Sequence, residues 1–120
     1  MRTQKAWGWN DVLHSTPVTK ICRLYILPGG FCSWHHHAAK DNTFIVEHGT
    51  LTVEERGGDE PDRYTLGHRA HFTVRPGVVH RFINYSTAPV QVLEVESLVG
   101  IDDADIYRLD EGGLLNGKAR

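Results

Sequence analysis

The chain has 120 residues and a mass of 13.5 kDa, enough for one domain with a substantial core and too little for two of ordinary size. Hydrophobic residues at 40% and charged residues at 23% exclude a disordered, coiled-coil or collagen-like chain. With 13 basic and 15 acidic side chains the formal charge is -2, so there is no electrostatic ground for a nucleic acid or an anionic membrane as partner.

Residues 1–11 lack the apolar run of a signal peptide, and no later stretch approaches the ~20 apolar residues that cross a bilayer, so a cytoplasmic protein is expected. The first strand is expected over 5–14, with Trp7 and Trp9 either packing between subunits or capping their own barrel. Short runs rich in Val, Ile, Thr, Phe and Tyr follow at 18–27, 31–37, 43–48, 50–56, 70–75, 79–84 and 90–98, each the length of a strand. Pro28-Gly29-Gly30, Gly49 and Pro76-Gly77 mark tight reversals between them, and residues 57–62 mark a longer exposed turn. Seven or eight antiparallel strands in a chain this short must close on themselves, because open apolar edges aggregate. The expectation is an all-β jelly-roll barrel forming a single domain over 1–120, with its core in 18–98 and a C-terminal segment over 99–120. Residues 101–108 are acidic and then apolar and basic, residues 111–120 are Gly-rich and polar, and the last residues are expected to be mobile.

Eight histidines and 12 glycines stand out from this background. On a strand alternate side chains share a face, so His35 and His37 project together and His36 projects the other way. One metal ion needs donors from several directions, and His80, behind the Pro76-Gly77 turn, supplies the third imidazole. His14, His48 and His68 show no partner pattern and read as turn or face residues, as does His71 unless it lies near the metal or the cavity mouth. Cys22 and Cys32 are too few for a disulfide framework. Counting back from His35 places Cys32 on the His36 face, away from the metal, as packing.

At these residues the sequence resembles the cupins. Gly29, His35, His37 and Gly49 occupy the places of the first cupin motif, with Asn42 where that motif has Glu, and Pro76, Gly77, His80 and Asn84 match the second. The resemblance covers about residues 18–98. A narrower one adds Trp7-Gly8, Leu27-Pro28, Gly49-Thr50, Arg81, Leu93-Glu94-Val95, Asp102-Asp103 and Ile106-Tyr107-Arg108, which together look like the cupin domain of type II mannose-6-phosphate isomerases. This resemblance implies a double-stranded β-helix, metal held by the two motifs, a sugar or sugar-phosphate substrate undergoing aldose–ketose isomerisation, Arg108 in catalysis, and a homodimer. The nucleotidyltransferase domain often joined to such cupins has no counterpart in these residues, so no nucleotide chemistry is expected.

The departures are as informative. Ala38-Ala39-Lys40-Asp41-Asn42 follows the histidines where the isomerases have Arg-x-Glu, so the expected carboxylate is missing and Asn42 offers only a neutral amide oxygen. Three neutral imidazoles suit Zn, Ni, Cu or Fe(II) better than Mg or Ca, and the cofactor expected is one divalent transition metal, Zn, Fe, Ni or Mn. Isomerisation also needs a base. Glu94 is the choice, with Glu96 on the same strand face and the outer, solvated face open to both as an alternative. Arg81, Arg75, Lys40 and Arg108 are the cations available to a substrate phosphate, Arg108 foremost, and Ser33 is a further substrate contact. Two other functions stay open: an Fe(II) three-histidine dioxygenase with Phe31, Phe44, Phe72 and Phe82 around an apolar pocket, and a non-catalytic cupin that binds a sugar or metabolite.

Overall fold

A computed structural model of the chain describes residues 1–97 and 105–115. Its strands, in chain order, are β1 (Arg2–Lys5), β2 (Gly8–Ser15), β3 (Thr19–Ile26), β4 (Gly30–Phe31), β5 (His35–His36), β6 (Asp41–His48), β7 (Leu51–Glu55), β8 (Asp62–Leu66), β9 (His71–Val74), β10 (His80–Ile83), β11 (Val90–Ser97), β12 (Tyr107–Arg108) and β13 (Gly113–Leu114). One sheet runs β1-β2-β3-β11-β6-β9; the other runs β12-β5-β10-β4-β13, with β7 also paired to β10 and β8 to β7. Every pairing is antiparallel. This is the double-stranded β-helix expected of the chain. No described helix is long and apolar enough to cross a membrane.

Period-two burial builds the interior. Cys22, Leu24 and Ile26 on β3 and Asn42, Phe44 and Val46 on β6 are buried while their strand neighbours are less so. The long strand β11 lies between them, with Val90, Val92 and Glu94 opposite Ile26, Leu24 and Cys22, and with Glu94 and Glu96 opposite Phe44 and Asn42. Directly opposed residues share a face, so both glutamates point inward with the valines rather than out to solvent. Trp7 meets Phe82 edge-on at 4.9 Å and joins the same core. Trp9 stacks on Tyr25 at 4.1 Å outside it.

The N-terminal strand expected over 5–14 is two strands, β1 and β2, joined at Ala6-Trp7 and paired from Lys5 with Gly8 to Arg2 with Asp11. Gly8 makes this possible: its φ is 149°, and a Cβ there would lie 1.9 Å from the Tyr25 carbonyl oxygen. The strand expected over 31–37 is broken into β4 and β5 by irregular backbone at Cys32, Ser33 and Trp34. Strand β8 was not anticipated, since Asp62, Arg63, Tyr64 and Thr65 are exposed and carry no apolar alternation. Within the Gly-rich stretch 111–120, Gly113–Leu114 pair with β4 as β13. Residues 98–104, with Asp102-Asp103, and 116–120 lie outside the described residues.

Candidate metal centre

The break in the strand before His35 and the turn before His80 bring the two motifs together. His35 opens β5 and His80 opens β10, and the two are register partners. Gly77, at φ 84°, lets its N–H reach back and donate to the His37 carbonyl at 2.7 Å, pinning the Pro-Gly turn to the histidine segment. Ring centroids lie 5.0 Å apart for His35 and His37, 4.3 Å for His35 and His80, and 5.5 Å for His37 and His80. One ring nitrogen from each can be chosen so that all lie within 4.8 Å of one another, and all three residues are buried.

The protonation of each ring follows from its partner. The three Nδ1 atoms sit 2.7, 2.7 and 2.9 Å from the carbonyl oxygens of Ser33, Asp105 and Val78. A carbonyl only accepts, so each Nδ1 carries the proton and each Nε2 keeps its lone pair, the tautomer a metal ligand requires; that of His37 accepts from Asn42 Nδ2 at 3.0 Å. Burial pushes His35 down to about 3 and His80 to about 4, with the neighbouring imidazoles adding to the shift; His37 is lowered too, burial first and Lys40 next. All three are neutral at pH 7 without help from a cation. Two nearby atoms are unsatisfied: His80 Nε2 and Asn42 Oδ1 are buried with no hydrogen-bond partner. Three imidazole nitrogens with an orphaned lone pair among them fit a borderline transition metal. His36 faces the other way and stacks on Tyr107 at 4.9 Å.

Among known families, the cupin domain matches residues 23–96. The chain belongs to the cupin family. Its curated relatives include the mannose-1-phosphate guanylyltransferase of Escherichia coli, 28% identical over 109 residues that make up 89% of this chain and 22% of that protein. The xanthan biosynthesis protein XanB of Xanthomonas campestris pv. campestris (strain B100) is 29% identical over 112 residues, 92% of this chain and 23% of XanB. The cupin therefore spans less than a quarter of these relatives. Among solved structures it is similar to the capsular polysaccharide assembling protein CapF of Staphylococcus aureus, with TM-score 0.80 at 19% identity over 92% of this chain and 32% of CapF. It is also similar to the oxalate decarboxylase of Bacillus subtilis, with TM-score 0.78 at 11% identity over 91% of this chain and 30% of that one. At such identities these structures establish the fold alone.

The cavity of this cupin, about 610 Å³, has His35 and His37 in its wall together with Glu94, Glu96, Lys40 and Arg108. Burial pushes the Glu94 carboxyl up to about 7, the charge of Glu96 adding to it and Lys40, Lys20 and Lys5 opposing. Glu96 is held by Lys40, Nζ to Oε1 3.1 Å, in a pair whose side chains are 10% and 5% exposed. Lys40 thus faces the cavity with its charge already engaged. Arg108, on β12, is the register partner of His35. Ser33 lines the cavity and its carbonyl orients His35.

Arg81 and Arg75 do not reach the cavity as expected. Arg81 follows His80 by one residue on a strand and so faces outward, donating to the fully buried Glu54 at 2.7 Å with its guanidinium over Phe31 and Trp34. Arg75 precedes the turn, 78% exposed, 3.6 Å from Asp41. Cys32 is the converse case. Expected on the far face, it lines the cavity, because the irregular backbone at residues 32–34 destroys the alternation counted back from His35. Burial pushes its thiol up to about 12 and keeps it inert, against the opposing effect of the Phe82 N–H it accepts from at 3.2 Å. His71 pairs at the sheet edge with Ile45, and neither it nor Phe31, Phe44 or Phe72 lines the cavity. Asn84 is a structural residue, its amide donating to the Ile26, Leu27 and Ala88 carbonyls.

Sequence reasoning missed Lys5 and Lys20, which line the cavity from β1 and β3. It also missed Asp105, whose carboxylate accepts from the Ala38 and Ala39 N–H groups at 2.8 and 2.9 Å while its carbonyl holds His37. The acidic run before Ile106 was the only signal for it.

Proposed function

We propose that this cupin binds one divalent transition metal through His35, His37 and His80 and interconverts an aldose and a ketose, the substrate being a sugar or sugar phosphate. The observation that carries the reading is that His35 and His37, two of the three clustered histidines, line one cavity with Glu94 and Arg108. The names of the curated relatives, which concern mannose 1-phosphate and xanthan, support a sugar-related substrate.

A bound metal would supply Lewis acidity to a substrate carbonyl. The chain supplies the rest. Glu94, as carboxylate, takes the proton from C2 of the aldose and returns it to C1, while the O2 hydroxyl proton ends on O1, so the sugar changes its carbonyl position and keeps its formula. A base whose protons leave near neutral pH is suited to both halves of that transfer. Arg108 holds an anionic substituent, with Ser33 as a further contact and Lys40 fixing Glu96 beside the base. The proposed assembly is a homodimer joined through an end strand of the six-stranded sheet, β1 or β9, and equilibrium sedimentation returning the 13.5 kDa of one chain would refute it.

The deciding experiment combines elemental analysis with a coupled assay for fructose 6-phosphate formed from mannose 6-phosphate. The expected result is one metal per chain and ketose formation that stops on chelation, both abolished by His80→Ala and both retained by His36→Ala. Oxygen consumption with Fe(II) would instead identify the dioxygenase. Sugar-induced stabilisation without turnover would identify the binding module, a reading that the neutral Asn42 favours.

A further inference from the structure

Lys40 is a charged residue drawn inward from an exposed loop. Ala38 and Ala39 lie exposed beside it, their N–H groups donating to the Asp105 carboxylate at 2.8 and 2.9 Å, and this anchor fixes the loop so that the next side chain enters the barrel. There Lys40 Nζ donates to Glu96 Oε1 at 3.1 Å, the two side chains being 5% and 10% exposed. Taking both charges out of water is costly, and apolar side chains in the same space are often as stable. An ion pair built into a cavity wall therefore calls for a use beyond holding the fold.

Glu96 has a second oxygen. Oε2 is buried and meets no hydrogen-bond donor among the described residues. An ionised carboxylate accepts at both oxygens, and one left bare keeps its desolvation cost until a donor arrives. Because Glu96 lines the cavity, the occupant of that cavity is the source of the donor.

Charge narrows what the donor is. Lys40 offsets the charge of Glu96, and Lys20, the β3 register partner of Glu96, lines the same wall. A cationic donor would face these two ammonium groups, and an anion would face the carboxylate oxygen; a neutral hydroxyl meets neither obstacle. Position narrows it further. Glu94 lies two residues before Glu96 on the same inward face, about 7 Å along the strand. A group held at Glu96 thus sits a few bonds beyond the carbons that face Glu94, where a sugar carries hydroxyls that take no part in the reaction.

We infer that Glu96, held by Lys40, is the subsite for a non-reacting sugar hydroxyl, O3 or O4, which donates to Oε2 and by which the cavity selects its substrate. The inference rests on the proposed sugar substrate and is independent of the isomerisation step.

The test measures, by calorimetry on the full-length protein, the affinity for mannose 6-phosphate and for its 3-deoxy and 4-deoxy analogues. Wild type is compared with the double variant Lys40→Met/Glu96→Leu, which removes both charges together so that neither is left buried alone. A hydroxyl donating to a carboxylate predicts that one analogue binds the wild type about 10- to 100-fold more weakly than the parent sugar. In the double variant the same ratio is expected to fall close to one. Equal affinity of the wild type for all three sugars would overturn the subsite, and that result does not depend on the variant folding. An undiminished ratio in a folded double variant would overturn it too, by placing the recognised hydroxyl elsewhere. Turnover without hydroxyl discrimination would leave the isomerase standing and refute the subsite, while the discrimination that Lys40 and Glu96 control, seen without turnover, would do the reverse. A wild type that does not bind mannose 6-phosphate would overturn both.

Discussion

At the scale of single residues, the site is governed by which hydrogen-bond partner each ring or carboxyl meets. His35, His37 and His80 were recognisable because a two-residue spacing and a Pro-Gly turn are local features, and a local rule survives folding wherever the strand is regular. Arg81 shows the same rule unheeded: one residue past an inward histidine, it had to point outward, where Glu54 receives it. Glu94 illustrates what only the surroundings decide. Its carboxyl is raised from an ordinary 4.5 to about 7, so the fold holds its proton more tightly than the unfolded chain does. The associated stability is present below pH 4.5 and is lost as pH rises through about 7. Glu94→Gln removes the ionisable group, and thermal melts should show the variant gaining on the wild type above pH 7 and matching its trend at pH 4.5. The same variant should lose isomerase turnover, whose wild-type pH profile is expected to rise through about 7.

At the scale of elements, the longest strands, β3, β6 and β11, were legible because each buries one face against a neighbour and so alternates. β8, β12 and β13 were not, being short and poor in buried side chains; their pairing is set by the strands already in place. The two-residue strands matter all the same, since β12 pairs with β5 and brings Arg108 to the histidine segment, while β13 pairs with β4. The hairpin of β1 and β2 depends on Gly8, where any side chain would collide with the Tyr25 carbonyl. Gly8→Ala is therefore expected to cost about 2–4 kcal/mol, within the range for backbone strain combined with overpacking, and to lower the urea midpoint without altering the slope. An unchanged midpoint would mean that the Trp7-Gly8 corner adjusts freely.

For the whole molecule, a metal held by the three histidines would be linked to the fold, because they come from β5, the segment after it and β10, which meet only in the folded barrel. Metal at a hundredfold excess over its Kd should add about 2.7 kcal/mol of stability, a Tm increase on the order of 10 °C for a chain of 120 residues, reversed by chelator. A Tm indifferent to every ion tried would separate the barrel's stability from the site. The same closure explains why Glu94 and Glu96 were ambiguous before the sheets were known. Their spacing puts them on one face, and only the register of β11 with β3 and β6 says that this face looks inward.

The amino-acid order alone determined that the chain is an all-β barrel with three imidazoles arranged for one ion, because turn chemistry and period-two alternation act between near neighbours. The tertiary structure decided which charged groups face the cavity, that Cys32 joins them, that Asp105 steadies His37, and that Asn42 occupies the lone pair a metal would need. Those outcomes depend on a broken strand and on contacts between segments far apart in the chain, where neither spacing nor propensity carries information.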